Sequence, residues 1–170
     1  MTSYCDLERY GDAAPLFDLG HASGFTDAPR NYTWLQAISQ YADCAVDLGR
    51  ADAAPALYEL LLPYAARFVY ISCVDFGAAA RPLGRLATLL GRYDDAEDHL
   101  RAALAMHERM QAPYWIARTQ ADLADLALAR DADGDTRQAW DLIDTAQRTV
   151  DHYGYAGLQP RIDRLVAQTA

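Results

Sequence analysis

A pattern of small residues that recurs along the chain limits the possible folds more than any other feature. Ala54, Ala96 and Ala139 occupy equivalent places in similar segments, and Ala14 precedes them in the same Ala-Ala-Pro context as Ala54. Their spacing is about 40 to 43 residues, which is the length of two helices and their turns. A single helix pair cannot bury its apolar face alone, so the repeat predicts stacked helix pairs along the whole chain.

The segment Pro82–Met110 shows this pattern most clearly, as two amphipathic helices joined by a tight turn. Gly84 gives the first helix a place without a side chain, where a neighbouring helix can approach closely. Gly91 ends that helix, and Asp94 and Asp95 begin the second one, where carboxylates suit the positive end of the helix dipole. The apolar stripe of the first helix, with steps of three and four residues, is Leu83, Leu86, Ala87 and Leu90.

The same signals predict the organisation of the other segments. The chain is expected to form one domain over residues 1–170, and few strand signals favour an all-α fold without any β-sheet. Proline at positions 63 and 82 predicts a kink or an end in two helices. The predicted parts are a shortened helix pair at 1–20, full pairs at 31–66, 71–110 and 114–152, and a capping helix at 158–168. The predicted helices of the full pairs are 31–48, 51–66, 71–90, 94–110, 114–130 and 136–152.

The charge of the chain narrows the classes of function. A formal net charge of −9 disfavours a surface that binds nucleic acid directly. All 15 basic residues are arginines. A Walker-A phosphate loop and a Schiff-base site both need lysine, so neither is present. No serine, cysteine or histidine pattern typical of a hydrolase occurs, and the chain is predicted not to be an enzyme and to need no cofactor.

The cysteines and the apolar segments predict a cytoplasmic protein. Cys5, Cys44 and Cys73 are odd in number and widely spaced, so they are interpreted as reduced core residues and not as a disulfide framework or a zinc site. The first residues lack the basic and apolar regions of a signal peptide. The most apolar stretch, 56–74, is interrupted by proline and charged residues, so no membrane contact is predicted.

Several segments resemble one TPR-like family. They are LYELLLPYAARFV, LGRYDDAEDHLRAALAMHERM, APYWIARTQADLADLALAR and VDHYGYAGL. They are similar to the C-terminal helical-repeat region of large actinobacterial regulators, the ATP-dependent LuxR-type transcription factors and the cyclase-linked proteins of the same architecture. The resemblance covers residues 7–168. It implies a right-handed superhelix of antiparallel helix pairs, which acts as a sensor or scaffold arm for an effector or a partner.

The chain also departs from that family. The repeat is longer than the usual TPR period of about 34 residues. No segment matches the ATPase module, the basic helix-turn-helix or the cyclase domain, so the family's transcription control and nucleotide chemistry are not assigned to any residue here. The chain is expected to be either a free-standing repeat protein or the detached end of a longer one.

One stripe of side chains is predicted to line the concave wall of this solenoid. The first helices of the pairs supply it, and Ala42, Gly84 and Ala124 mark their packing faces. The arginines of the stripe carry a planar fork that suits a carboxylate or a phosphate, which predicts an acidic peptide or a phosphate-bearing ligand. The alternative is that they pair with Asp43 and Asp125 and only hold the stack together. The candidate binding residues are Gln36, Asp43, Arg81, Arg85, Arg118 and Asp125.

Two polar clusters are interpreted as solvated surface. The first, Asp94–His99, resembles a metal site only in composition, because carboxylates are also expected at an exposed helix start. The second, His107–Glu108, is more typical of an exposed pair than of a general base and its partner. No metal is therefore predicted. The three tryptophans fall on helical stripes, which favours core packing over a ligand site, and among them Trp115, beside Tyr114 at a helix start, is the one most suited to contact a ligand.

The N-terminal face is a predicted interface. The first helix has only about ten residues, so it is expected to shield its partner helix along about half its length. An exposed apolar patch there predicts a homodimer or the docking of a separate chain through residues 4–25. The alternative is that Phe25 and the loop 21–31 fold back and cover the patch. The candidate interface residues are Leu16, Phe17, Leu19 and Phe25.

These features lead to two functional hypotheses. The first is a non-enzymatic protein–protein interaction or regulatory scaffold module of a bacterial signalling or transcription-regulator system, whose partner is a protein or an acidic peptide. The second is a small-molecule sensor that holds an anionic or aromatic effector in the concave groove. A flat open wall would favour the first, and a closed pocket containing Trp115 would favour the second.

Overall fold

The computed structural model describes residues 4–5, 7–26 and 30–169, and most of these residues are helical. Two short 3-10 turns span Leu62–Tyr64 and Ala156–Leu158. Two strands, β1 (Phe68–Ile71) and β2 (Val74–Ala78), form an antiparallel hairpin. The helices are α1 (Tyr10–Ala22), α2 (Trp34–Asp47), α3 (Ala54–Leu61), α4 (Ala80–Leu89), α5 (Tyr93–Arg109), α6 (Pro113–Arg130), α7 (Asp135–Tyr153) and α8 (Gln159–Gln168).

The helices pack in a regular order. Helix α2 packs on α3, α4 on α5, and α6 on α7, and the connections are short, so the two helices of each pair run antiparallel. The second helix of each pair packs on the first helix of the next, as α3 does on α4, α5 on α6 and α7 on α8. The first helices also contact one another in the order α2, α4, α6 and then α8. These four helices therefore form one wall of the molecule.

Small residues allow this close packing. Ala54, Ala96 and Ala139, which mark the repeat in the sequence, are all fully buried. A Cβ atom at Gly84 would lie only 2.5 Å from Cγ of Leu100 on α5. The close approach predicted for Gly84 is thus confirmed, and it explains why α4 and α5 form an extensive contact.

The predicted helix ends agree with the structure to within a few residues for most of the chain. The predicted helix 51–66 is shorter, because α3 spans only Ala54–Leu61 and a 3-10 turn containing Pro63 follows. Proline lacks the N–H that a helix interior uses, so the predicted end at Pro63 is confirmed. In the sequence, Gly11-Asp12 is interpreted as the turn between the two helices of the shortened pair at 1–20, and this is wrong, because both residues lie inside α1. The rest of that pair includes residues 1–3 and 6, which lie outside the described residues.

The β-hairpin is the main correction to the predicted fold. A helix over 71–90 is expected from the sequence, but β1 and β2 occupy its first part and α4 begins only at Ala80. The segment 68–76, FVYISCVDF, is rich in β-branched and aromatic residues, which favour strands. The all-α prediction therefore holds for most of the described chain and is wrong for this hairpin.

The turn of this hairpin lacks the usual sequence signal. Its two-residue turn is formed by Ser72 and Cys73, with Ser72 in the left-handed region at φ 55°, and not by the Asn-Gly or Asp-Gly sequences that usually mark such turns. Gly77 has φ 78°, which a helix does not accommodate, and a Cβ there would lie 2.8 Å from the Trp115 ring. Pro82 falls in the first turn of α4, where a missing N–H costs nothing.

The N-terminal face is largely covered by its own chain. Phe17 and Phe25 are buried, with their ring centroids 5.9 Å apart. Phe25 adopts φ 63°, which turns it back onto α1, and its ring also lies 5.1 Å from that of Tyr41. Phe17 and Phe25 are therefore core residues and not interface residues, as in the alternative in which Phe25 folds back. Part of the loop 21–31, namely 27–29, lies outside the described residues.

Two of the predicted interface residues do remain on the surface. Leu16 is 42% exposed and Leu19 is 71% exposed. Self-association through this face stays a prediction.

None of the helices within the described ranges is both long enough and apolar enough to span a bilayer.

Gly84→Ala is expected to destabilise the protein by about 1–3 kcal/mol, because the added methyl group overlaps with Leu100 and forces α4 and α5 apart. Gly11→Ala, which adds the same methyl group in α1 with no atom within 4 Å, should be neutral or gain about 0.5–1 kcal/mol. Urea unfolding followed by circular dichroism measures both. Equal effects of the two variants would contradict the close packing of α4 on α5.

Candidate functional site

A cavity of about 860 Å³ lies along the wall of first helices. Side chains of α2, α4, α6 and α8 line it, together with Tyr10 at the start of α1. We call this cavity the groove. Its volume lies within the range of about 300–1,000 Å³ that is typical of ligand pockets. The apolar lining residues are Val46, Leu89, Leu128, Ala129 and Leu165.

The predicted concave stripe reaches the groove only in part. Of the six candidate binding residues, Arg85 and Asp125 line it, whereas Gln36, Asp43 and Arg81 do not. Arg118 faces a smaller neighbouring cavity of about 40 Å³. Val46, Thr88 and Leu128 also line the groove, and each lies four residues after Ala42, Gly84 or Ala124 on the same helix.

Arg81 is buried completely beneath the wall. Its Nη1 lies 3.0 Å from Oδ2 of Asp43 on α2, and its Nε lies 2.7 Å from Oδ2 of Asp122 on α6. One guanidinium group on α4 thus joins the first helices on both sides of it. Arg81 has no exposed surface with which to bind a ligand.

Arg85 is 5% exposed and joins the same helices one turn further along α4. It lies 2.6 Å from Asp43 and 2.6 Å from Asp47, both on α2. It also lies 3.2 Å from Asp122. Its charge is therefore compensated by three carboxylates before any ligand arrives.

Arg161 extends this arrangement to α8. Its Nη2 lies 2.6 Å from Oδ1 of Asp122, and it also pairs with Asp125. Asp122 is 2% exposed and forms ion pairs with Arg81, Arg85 and Arg161. The ionic cluster, as we define it, consists of Asp43, Asp47, Arg81, Arg85, Asp122, Asp125 and Arg161.

The cluster keeps its carboxylates ionised although they are largely buried. Burial alone would raise the pKa of Asp43, but the positive charges of Arg81, Arg85 and Arg118 hold that pKa well below its ordinary value. Burial would likewise raise the pKa of Asp122, and the surrounding arginines, Arg161 first, lower it instead. The cluster therefore remains a set of charge pairs at neutral pH.

This geometry agrees with the alternative in which the arginines pair with carboxylates and hold the helices together. Arg81 and Arg85 pair with Asp43, as that alternative states, while Asp125 pairs with Arg161 on α8. Asp47, Asp122 and Arg161 were not identified from the sequence. Asp122 lies between Ala121 and Leu123, which are buried, and a charged residue in such an alanine- and leucine-rich stretch is the signal that could have identified it.

The two ends of the described chain meet at the groove. Nη1 of Arg164 on α8 donates to Oε1 of Glu8 at 2.8 Å and to the hydroxyl of Tyr10 at 2.8 Å. Tyr10 and Arg164 both line the groove, so this contact closes it on one side. No pattern in the sequence links residues so far apart, and this closure was not predicted.

His107 forms a second buried polar site, behind the hairpin. The backbone N–H of Ala78 donates to its Nε2 at 2.8 Å, so the proton of the neutral ring is on Nδ1. Nδ1 lies 3.0 Å from Oγ1 of Thr119, whose hydroxyl donates to the carbonyl of Trp115 at 2.8 Å. The assignment of His107 to exposed surface is therefore wrong, and this site ties β2 to α5 and α6.

Trp115 belongs to this second site and not to the groove. Its ring stacks on His107 with centroids 5.9 Å apart, and its indole N–H donates to Asp75 of β2. The tryptophan expected at a ligand pocket therefore covers the hairpin instead.

The other polar cluster of the sequence shows ordinary surface contacts. Asp95 pairs with Arg92 at 2.7 Å, and Nε2 of His99 lies 2.8 Å from the Tyr58 hydroxyl. Among the residues that the structure describes, no three His, Cys, Asp or Glu side chains are arranged to hold a metal ion.

A comparison of the chain with protein-family models, curated proteins and solved structures finds no match. Its function has to be inferred from the groove and the ionic cluster themselves.

Arg81→Met is expected to lower the free energy of unfolding by about 3–5 kcal/mol, because it leaves the buried carboxylates of Asp43 and Asp122 with one cation fewer. Arg148→Met is the matched control, since Arg148 pairs with Asp144 on the surface and should cost at most about 1 kcal/mol. Urea titrations at pH 7.5 compare the two. A loss below 1 kcal/mol for Arg81→Met would show that the cluster does not hold the wall together.

A pH-dependent loss of stability is expected from His107. Burial, and next the charge of Arg81, lower its pKa to about 4, whereas Asp122 acts in the opposite direction. The unfolded chain, with a histidine pKa of about 6.5, then binds the extra proton between these values, so stability falls as the pH falls from 6.5 towards 4. From pH 7.5 to pH 5 the free energy of unfolding should drop by about 2 kcal/mol.

His107→Gln is the control for this effect, because glutamine can accept from Ala78 and donate to Thr119 but does not titrate. The pKa values of Asp43 and Asp122 are lowered by the neighbouring arginines, so the stability that these two groups contribute is lost mainly below pH 5. Urea unfolding at pH 7.5 and pH 5 measures the difference. An equal drop in wild type and variant would mean that His107 is not the cause.

Proposed function

We propose that the chain is a TPR-like α-solenoid that works as a protein-interaction module and binds a segment of a partner protein in the groove. The main support is the position of the groove, which runs along the first helices of successive pairs. A wall built from several repeats offers a partner an extended concave surface. The resemblance to the helical-repeat region of LuxR-type regulators favours a regulatory role in the cytoplasm.

The charges of the groove favour a partner segment with apolar and basic side chains. The three arginines of the groove, Arg85, Arg161 and Arg164, already pair with carboxylates. Asp131 also lines the groove, is exposed, and forms no ion pair with any residue that the structure describes. The uncompensated charge is therefore negative, and a cationic group has more to gain there than an acidic peptide.

The apolar lining gives such a segment its contact area. Val46, Leu89, Leu128 and Leu165 come from four different helices and face one cavity. Burying apolar surface contributes about 25 cal/mol per Å², so a few side chains in the groove provide most of the binding free energy. The charged residues then select the sequence of the partner.

A small-molecule sensor is the second candidate. The contact of Arg164 with Glu8 and Tyr10 closes one side of the groove, which suits a ligand that is enclosed. Trp115 is not available there to stack on an aromatic effector. An effector of this kind would need an apolar body and a positively charged group.

Ala129→Arg tests the groove directly. Ala129 is an exposed residue of α6 that lines the groove, so an arginine there fills space and repels a cationic ligand. Peptides selected from a displayed random library on the wild-type protein should lose at least about tenfold in affinity for this variant, which corresponds to about 1.4 kcal/mol. Fluorescence anisotropy with the synthetic peptides gives the dissociation constants.

Ala105→Arg is the matched control, because Ala105 is exposed on α5 and does not line the groove. Its affinity for the selected peptides should stay within about twofold of wild type. Peptides that bind both variants equally would place the interaction elsewhere. If the library yields no binder but a metabolite raises the melting temperature of Ala105→Arg and not of Ala129→Arg, the sensor is the correct function.

A further inference from the structure

Two cysteine side chains from distant parts of the chain meet in the interior. Sγ of Cys5 lies 3.0 Å from Sγ of Cys44, and both residues are buried. Cys44 lies on α2, whereas Cys5 lies on the short segment that precedes α1. The sequence suggested no pairing, because the two residues are separated by a large part of the chain and lack any cysteine motif.

We propose that Cys5 and Cys44 form a reversible disulfide, which acts as a redox-controlled clasp between the N-terminal segment and α2. A low-molecular-weight disulfide, such as oxidised glutathione, is the oxidant. The two protein thiols lose two protons and two electrons to form one S–S bond, and the oxidant takes them up as two thiols. This inference goes beyond the interaction function and does not depend on it.

The geometry requires little movement. The sulfur atoms of a disulfide are about 2.05 Å apart, so the two sulfurs need to approach by only about 1 Å. Cys44 lies within a helix and is fully buried, which fixes its position.

The chemistry begins when the segment opens. The contact with Cys5 and then burial raise the pKa of the Cys44 thiol well above its ordinary value, so the closed form holds almost no thiolate. In the open form Cys5 is accessible to the oxidant, and its thiolate form attacks it, which releases one small thiolate. Cys5 in this mixed disulfide no longer has the thiol that raises the pKa of Cys44 most. When the segment closes again, Cys44 loses its proton, attacks Sγ of Cys5 and forms the protein disulfide, and the second small thiolate leaves and takes up a proton.

The clasp controls the side of the groove that this segment closes. Glu8 and Tyr10, three and five residues after Cys5, accept hydrogen bonds from Arg164 of α8. An ion pair exposed to water, such as Glu8 with Arg164, contributes little on its own. The disulfide would fix the segment at its other end, on α2, and so keep the groove closed in an oxidising environment.

The test uses the full chain with Cys73→Ser, because Cys73 is exposed at the hairpin turn and would react separately. After incubation in buffers of increasing oxidised glutathione, trapping with an alkylating reagent and mass spectrometry count the remaining thiols. The expected result is the loss of both thiols as one intramolecular bond between Cys5 and Cys44. The melting temperature should rise by roughly 5–10 °C, as expected for a disulfide that closes a long loop.

Hydrogen exchange tests the clasp itself. The amide N–H groups of Glu8 and Arg9 donate to the carbonyl oxygens of Cys5 and Tyr4, so a fixed segment should slow their exchange at least about tenfold. Cys5→Ala and Cys44→Ala, each with Cys73→Ser, are the controls, and oxidised glutathione should not slow exchange in either one.

Two results would overturn the proposal. One is that the thiols of Cys5 and Cys44 both remain free to react with the alkylating reagent after treatment with oxidised glutathione. Glutathionylation of Cys73 in the wild type under the same conditions shows that the oxidant is active. The other is that the disulfide forms but leaves the exchange of Glu8 and Arg9 unchanged, because the bond would then not control the segment.

Discussion

The carboxylate of Asp122 is buried beside three guanidinium groups, and the arrangement of the first helices depends on it. A buried charge is costly unless it is paired, so Asp122 holds Arg81 and Arg85 of α4 and Arg161 of α8 in fixed positions. Asp43 plays the same part for α2. Helices that touch through apolar side chains can slide past one another, whereas these ion pairs require fixed distances between their charged groups. The cluster therefore specifies which helices are neighbours in the wall, at the cost of burying charge.

The groove takes its properties from this cluster. Because the arginines are compensated by carboxylates within the wall, they do not make the groove a site for anions. The lining combines apolar side chains of four helices with carboxylates such as Asp125 and Asp131. The contact of Arg164 with Glu8 and Tyr10 forms one side of the groove. The interaction module and the sensor both depend on this combination of an apolar lining, carboxylates and an enclosed side.

Local propensity and tertiary contacts together produce the hairpin where the sequence analysis expected a helix. The segment 68–76 favours strands, Gly77 allows the chain to approach the ring of Trp115, and the N–H of Ala78 donates to His107. The strands also use β-branched and aromatic side chains that a helix would strain. His107, which the sequence analysis assigns to exposed surface, and Trp115 both hold this hairpin.

The sequence by itself determined most helix positions and the small residues at which helices approach, such as Ala96 and Gly84, because both depend on periodicity over a few turns. It also placed Arg81 and Arg85 on one helix with Asp43 as a possible partner, but it did not identify Asp122. Only the tertiary structure decided that Asp122 lies at the centre of the cluster, that Phe25 covers α1, and that Cys5 meets Cys44. Each of these depends on contacts between residues distant in the chain. Local propensities carry no information about such contacts, because they form only when whole helices pack.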